Sequence, residues 1–246
     1  MTLAFLGIFT GITSGFFGIG GGTILVPLLL LYGLDMKTAV AVSIMQMVFS
    51  SIFGSFINAK KNKAILNDGF TLGIGGFLGG ALSGLIVPNI DGQYLKYLFL
   101  CVILFAIYRV AITATDHTKE IKRKSKFSLV FVGFIIGMIA MSIGVGGSLL
   151  LTPILVSFMY YNLKDAASLG LFFVVFSSIA GFISLSLAGH MPYYEGAIVG
   201  IASLIGVYLG IKIKDIVHIK SYKKLILLLY IIVLAILVSR LLKGKI

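Results

Sequence analysis

A chain of 246 residues would suffice for one or two water-soluble domains, but 59% of its residues are hydrophobic, only 11% are charged, and the mean hydropathy is +1.11. Soluble domains carry about 25% charged residues, so this composition excludes a soluble fold and specifies an integral membrane protein. The formal net charge of +12 sits in bases between apolar runs, which points to anionic lipid and away from nucleic acid.

The first apolar run covers residues 3–32. A hydrocarbon core about 30 Å thick takes about 20 helical residues to cross, and this run would make a rod of roughly 45 Å. Gly18-Ile19-Gly20-Gly21-Gly22 interrupts it. Three runs of single-crossing length follow, at 37–58, 69–89 and 94–113, and then a charged link over 114–126. The next run, 127–160, is again too long and is interrupted by Gly144-Val145-Gly146-Gly147-Ser148. Single-crossing runs at 164–187, 193–211 and 222–242 complete the chain. Each long run is expected to be two half-helices that meet at the glycines. No basic stretch precedes the first run and no small-residue cleavage site follows it, so no removable signal peptide is expected.

The two breaks belong to an internal repeat. Gly18 to Pro27 matches Gly144 to Pro153 at an offset of 126, with three glycines and the proline identical. At an offset of 127, Lys37 pairs with Lys164, Phe49-Ser50-Ser51 with Phe176-Ser177-Ser178, Gly54 with Gly181, Gly79 with Gly206 and Lys96 with Lys223. Two membrane repeats, 1–113 and 127–246, are therefore expected on either side of a cytoplasmic linker at 114–126.

Charge counting orients them. If every long run crosses once, the 20 bases split 12 to 8 between the two sides. If each long run enters and leaves by one face, every half has three full crossings, the halves are inverted, and the split becomes 15 to 5. The second arrangement is the expected one: an all-α membrane protein in the cell membrane, with two inverted-topology repeats. Each repeat is a glycine-broken re-entrant hairpin plus three transmembrane helices, and both termini face outside. The minority side then holds Lys37, Lys96, Arg240, Lys243 and Lys245.

Non-helical backbone at membrane depth is tolerated only where protein or a water-filled cavity covers it. Gly20-Gly21 and Gly146-Gly147 permit positive φ and close approach of a ligand. Thr23 and Leu149 are expected to begin the second half-helices. Their first N–H groups lack intrahelical partners and carry the positive dipole end, and Thr23 and Ser148 add hydroxyls there. Pro27 and Pro153 lie too far along to cap and are expected to kink the outgoing half-helices.

All eight acids fall in loops or at span ends, and no Lys or Arg lies at mid-span. That pattern argues against a proton relay, a cation pump or an intramembrane enzyme, and no metal or cofactor is expected. A neutral site of dipoles and hydroxyls suits an anion. Ser43, Gln46, Ser50 and Ser51 on the second run, with Ser168, Ser177 and Ser178 on its repeat partner, are candidate cavity liners, although a membrane serine commonly bonds back to its own helix. The remaining glycines, among them Gly76, Gly80, Gly84, Gly181 and Gly210, read as helix-packing positions. A dinucleotide fingerprint is excluded because its third glycine would fall at Thr23.

The duplicated block-plus-proline, Gly18 to Pro27 and Gly144 to Pro153, resembles the TauE/SafE sulfite exporter family, also called the toluene-sulfonate uptake permease family. The resemblance covers nearly the whole chain. It implies transport of sulfur-containing anions such as sulfite, thiosulfate, sulfoacetate or other organosulfonates, with two inverted halves whose hairpins meet at a central site. Ser148 stands where the first block has Gly22, so the site need not be symmetric. The expected function is secondary transport by alternating access. Gly18, Gly20, Gly21, Gly22, Thr23, Gly144, Gly146, Gly147, Ser148, Gln46, Ser50, Ser51, Ser177 and Ser178 are the expected substrate-binding residues. An anion-selective channel with the same lining is the alternative.

Overall fold

The structure is a computed structural model that describes residues 1–18, 20–59, 66–112, 125–161, 163–217 and 219–243. Most of the 114–126 link lies outside the described residues. Long apolar stretches without the alternation of a strand satisfy their backbone polar groups within helices, as a lipid environment demands. Eleven helices result among the described residues: α1 Thr2–Phe17, α2 Gly22–Tyr32, α3 Met36–Ala59, α4 Leu66–Gly80, α5 Ser83–Asn89, α6 Gly92–Ile112, α7 Lys126–Ser142, α8 Ser148–Met159, α9 Leu163–Leu187, α10 Tyr193–Ile216 and α11 Ile219–Lys243. Among the described residues six stretches are long and apolar enough to cross a membrane: 36–57, 69–89, 92–112, 166–187, 193–216 and 221–242.

Both long runs are broken at their glycines, α1 from α2 and α7 from α8. The second half-helices begin at Gly22 and Ser148, one residue before the expected Thr23 and Leu149. A further break, between α4 and α5, has no sequence forewarning, and its counterpart α10 is continuous. Ser184 on α9 bridges that break: its hydroxyl donates to the Ala81 carbonyl and accepts from the Gly84 N–H at 3.0 Å.

The helices of the first half correspond by sequence to α7, α8, α9, α10 and α11 of the second, with α4 and α5 together matching α10. Packing follows that correspondence with the halves exchanged. α1 runs along α10, and α7 along α4. α3 packs on α10 and α9 on α4, while α3 and α9 also meet each other, as do α6 and α11. Thus neither half packs on itself alone.

Glycine makes the closest of these crossings possible. Gly7, Gly11 and Gly15 of α1 lie against the carbonyls of Val199, Ser203 and Val207 on α10, and Gly206 and Gly210 lie against those of Ile8 and Ile12. On the other side Gly75 and Gly79 of α4 meet Val130 and Phe134, and Gly133 and Gly137 of α7 meet Leu72 and Gly76. Small residues let backbones approach where lipid supplies no hydrophobic drive between helices. Gly76, Gly80, Gly84 and Gly181 also lie in such helix contacts. The outer faces of α6 and α11 expose Leu104, Tyr108, Leu228 and Ile231, which suits contact with acyl chains. Cys101 lies on an exposed face of α6.

Candidate functional site

Each broken run ends its first helix in a left-handed glycine. Gly18 (φ 68°) donates its N–H to the Ser14 carbonyl at 2.8 Å, and Gly144 (φ 67°) closes α7 with Val145 N–H reaching back to Ala140 at 3.0 Å. With the Gly144 N–H bond to Met141 at 3.3 Å, the Val145 bond makes a Schellman motif, and the single Gly18 bond is its simpler αL relative. Both outgoing helices start on a glycine, Gly21 before α2 and Gly147 before α8, and neither start has a side-chain cap. No Ser, Thr, Asp or Asn side chain serves either start; instead the Gly22 and Ile24 N–H groups donate to the Gly20 and Gly21 carbonyls at 2.8 and 3.2 Å, and those of Leu149 and Leu150 to Gly146 and Gly147 at 3.4 and 3.2 Å. Pro27 and Pro153 lie inside α2 and α8.

The two blocks touch. Thr23 Oγ1 donates to the Val145 carbonyl at 3.2 Å, and Ser43 Oγ donates to the Gly144 carbonyl at 2.6 Å. A Cβ at Gly22 would overlap the Gly144 carbonyl oxygen and reach within 2.5 Å of Ser43 Oγ. Contacts with the crossing helices exchange halves: Gly18 presses on Ala167 of α9, and Gly144 on Val40 of α3. Those two positions are repeat partners at the 127-residue offset. Gly20 (φ 77°) packs between Val174 and Met47, also repeat partners. Every described residue of both blocks is buried.

Within this frame the two helix starts face different chemistry. Beside Gly21 (φ 72°) stands the Gln46 amide, with Oε1 2.6 Å and Nε2 2.7 Å from the place a Cβ would occupy. Gln46 is wholly buried, and among the described residues neither its Oε1 nor its Nε2 has a hydrogen-bond partner. Its repeat partner is Phe173, whose ring lies against Gly147 and Gly76. Gly147 has φ −61°. This corrects the expectation that Gly147 serves a positive φ: the Phe173 ring, together with Ile136 at 3.0 Å, leaves no room there for a side chain. A similar exchange joins Gly22 and Ser43 to Ser148 and Gly170. In the first half the block carries glycine and the crossing helix serine; in the second the block carries serine, and its Cβ fills the space beside Gly170.

The candidate residues thus divide. Gly18, Gly20, Gly21, Gly22, Thr23, Gly144, Gly146, Gly147 and Ser148 form the touching blocks, with Gln46 beside the first. The hydroxyls of Ser148 and Ser51 are buried without partners. Ser50 donates to the Met47 carbonyl, Ser177 to Phe173 and Val174, and Ser178 to Val175, so all three are turned onto their own helices. Phe173 and Ser14, the latter with an unpaired buried hydroxyl on α1, were not singled out by sequence; only the alignment of Phe173 with Gln46 carries a signal.

The charged groups lie at the helix ends. Asp35, Lys37, Asp91, Lys96 and Arg240 line one pocket of about 340 Å³. There Lys37 Nζ donates to the Pro88 carbonyl at 2.7 Å and Arg240 Nη2 to Leu31 at 2.7 Å. Elsewhere Lys223 Nζ donates to the Ala111 carbonyl at 3.1 Å, at the end of α6. Lys214, in the last turn of α10, is buried and donates to Ser168 Oγ at 2.8 Å, so Ser168 is engaged at a helix end.

Comparison with known proteins agrees with this architecture. The family described as "Sulfite exporter TauE/SafE" matches residues 3–237. "Probable membrane transporter protein MJ0441" of Methanocaldococcus jannaschii is 30% identical over 200 residues, covering 78% of this chain and 74% of its own. A "Probable membrane transporter protein" of Haemophilus influenzae is 24% identical, covering 82% and 81%. "Probable membrane transporter protein YunE" of Bacillus subtilis is 23% identical, covering 94% and 93%. No solved structure matches the chain.

Proposed function

The chain belongs to the TauE/SafE sulfite exporter family and is a multi-pass membrane transporter, and from that premise we propose that it carries small sulfur-containing anions by alternating access. Sulfite, thiosulfate, sulfoacetate and other organosulfonates are the candidate substrates. The anion is held at the two glycine blocks, which touch, are buried and begin helices without a side-chain cap, and the halves rock around it. The observation that carries the reading is Gln46. A buried amide without partners costs about 1–3 kcal/mol, and here it stands beside a helix start that has no side-chain cap, the positive end of a dipole. An anion at that place would satisfy the amide N–H and the helix together.

Re-entrant hairpins and inverted halves belong to the same proposal. If each long run crossed once, Lys37 and Lys96 would face one side and Arg240 the other; their sharing of one pocket favours hairpins. The Lys223 bond to the end of α6 points the same way, since single crossings would set Lys223 opposite Arg109. The enclosure of both blocks supports a carrier that occludes its cargo over an open pore. Because the site consists of neutral dipoles, with the acids at helix ends, the reading is transport without enzymatic turnover.

A thermal-shift panel of sulfite, thiosulfate, sulfoacetate, taurine and sulfate on purified protein tests the cargo class. A ligand at 100 times its Kd stabilises the folded form by about 2.7 kcal/mol, so at least one sulfur anion is expected to raise the melting temperature by several degrees. No shift with any of them, and no uptake of them into proteoliposomes, would overturn the reading.

A further inference from the structure

The two helix starts are equivalent by sequence and unequal in surroundings, and that inequality bears on the charge of the cargo. At α2 the start has no side-chain cap, its cap glycine Gly21 has φ 72°, and the wholly buried Gln46 amide beside it has no partner among the described residues. At α8 the equivalent position is covered by the Phe173 ring. An aromatic edge offers an anion no conventional donor, and its bulk keeps a ligand from the backbone of Gly147. In the second block the Gly144 and Val145 carbonyls accept from Ser43 and Thr23, and the Ser148 hydroxyl at the α8 start has no partner among the described residues, so the Phe173 ring alone sets that start apart.

We infer that the anion site is one-sided: a single monoanionic headgroup sits at the α2 start against Gln46, and Phe173 excludes the α8 start from binding. The inference rests on the anion-carrier reading and deepens it. One helix start supplies the equivalent of about half a positive charge, and the described residues put no cation beside it. Such a field can offset most of one negative charge after a neutral amide adds its donor. A second negative charge would be buried uncompensated, which is prohibitive in a low-dielectric interior, so the one-sided site removes the dianion thiosulfate from the candidate cargoes.

Methanesulfonate and sulfate separate the cases, because they share a tetrahedral sulfur and similar size but differ by one charge at neutral pH. Calorimetric titration of the full-length protein in nanodiscs is expected to give one methanesulfonate per chain and at least tenfold weaker sulfate. The Gln46→Leu variant is expected to lose methanesulfonate binding while its ligand-free melting temperature stays the same or rises, since an unpaired amide is removed; it also corrects for the general stabilisation that sulfate gives any fold. Phe173→Leu, which keeps the cover apolar, should bind within threefold of wild type. Two anions per chain, sulfate bound as tightly as methanesulfonate, or Phe173→Leu losing binding as fully as Gln46→Leu would each overturn the one-sided site while leaving the anion carrier standing. A Gln46→Leu protein that melts lower in the absence of ligand would make the amide structural and overturn it as well. If methanesulfonate, sulfite, thiosulfate and sulfoacetate all fail to bind wild type, the carrier reading falls with it.

Discussion

The two glycine blocks descend from one pattern and have been kept for different reasons. In the first, Gly21 is glycine because the backbone is left-handed there, and its neighbour is a yielding amide. In the second, Gly147 has an ordinary helical φ and is glycine because an aromatic ring occupies the space of its side chain. The exchange between Gly22 with Ser43 and Ser148 with Gly170 shows the same economy: one Cβ fits in each half, placed on the block in one and on the crossing helix in the other. A repeat conserves the sum of volumes across a contact more faithfully than it conserves either partner. What it need not conserve is polarity, and polarity is where the halves part.

The largest effect should come from putting the missing Cβ on the wrong side. Gly22→Ala drives a methyl into the Gly144 carbonyl and Ser43 Oγ, and the first of these is backbone that cannot turn aside. A loss of about 3 kcal/mol is expected, with abolished uptake in proteoliposomes. The equivalent Ser148→Ala keeps the Cβ and removes an unpaired hydroxyl, so its melting temperature should hold or rise slightly. Equal damage from both would break the comparison.

Gly21→Ala and Gly147→Ala sharpen it. The first forces alanine into left-handed backbone at a cost of about 1–2 kcal/mol and pushes the Gln46 amide aside. The second strains no dihedral but meets the Phe173 ring. Phe173→Leu should therefore rescue the melting temperature of Gly147→Ala and do nothing for Gly21→Ala, a coupling that a double-mutant cycle reads directly.

Thr23→Val removes the bond to the Val145 carbonyl and should cost about 1 kcal/mol. The matching residue in the second block is Leu149, which has no hydroxyl to lose. Polar ties between the blocks thus run from the first half to the second, and Leu149→Val should change packing alone.

How much of this was legible beforehand depended on the kind of signal. Run length against bilayer thickness marked the two breaks, and glycine spacing located them within a residue, because both are properties of one segment. The six spans followed for the same reason. The intertwining of the halves was not legible: an offset says which residues are equivalent and is silent on which ones touch. Gln46 stood out because an amide is costly anywhere in an apolar run. Ser50, Ser177 and Ser178 looked just as promising and are bonded to their own helices, since a hydroxyl can satisfy itself on the preceding turn and a glutamine amide here does not. Phe173 carried no signal by itself, being one more apolar residue in an apolar helix; it acquires meaning only as the partner of Gln46. The α4–α5 break was hidden because Ser184, which bridges it, lies 100 residues away in sequence.

The smallest expected effect separates the halves by charge at a helix start outside the membrane-spanning segments. Asp35 precedes α3 and accepts from the N–H groups of Lys37 at 2.9 Å and Thr38 at 3.1 Å, and from the Thr38 hydroxyl. Partial burial works against its charge, but the hydrogen bonds from Thr38 and Lys37 outweigh that and hold the carboxyl below its ordinary value of 3.8. A carboxyl lowered by folding stabilises the fold above its unfolded pKa, and the contribution is lost as pH falls through the folded value. Asp35 is mostly exposed, so after solvent screening the contribution should be a few tenths of a kcal/mol. The residue at the matching sequence position is Asn162, a side chain that does not titrate. Amide exchange at Thr38 should therefore quicken below about pH 4, beyond the intrinsic trend, in wild type and stay on that trend in Asp35→Asn, which keeps an accepting oxygen. Acid-induced opening that is the same in both proteins would assign the cap no electrostatic part, and the first helix start after the block would then differ from the second in shape alone.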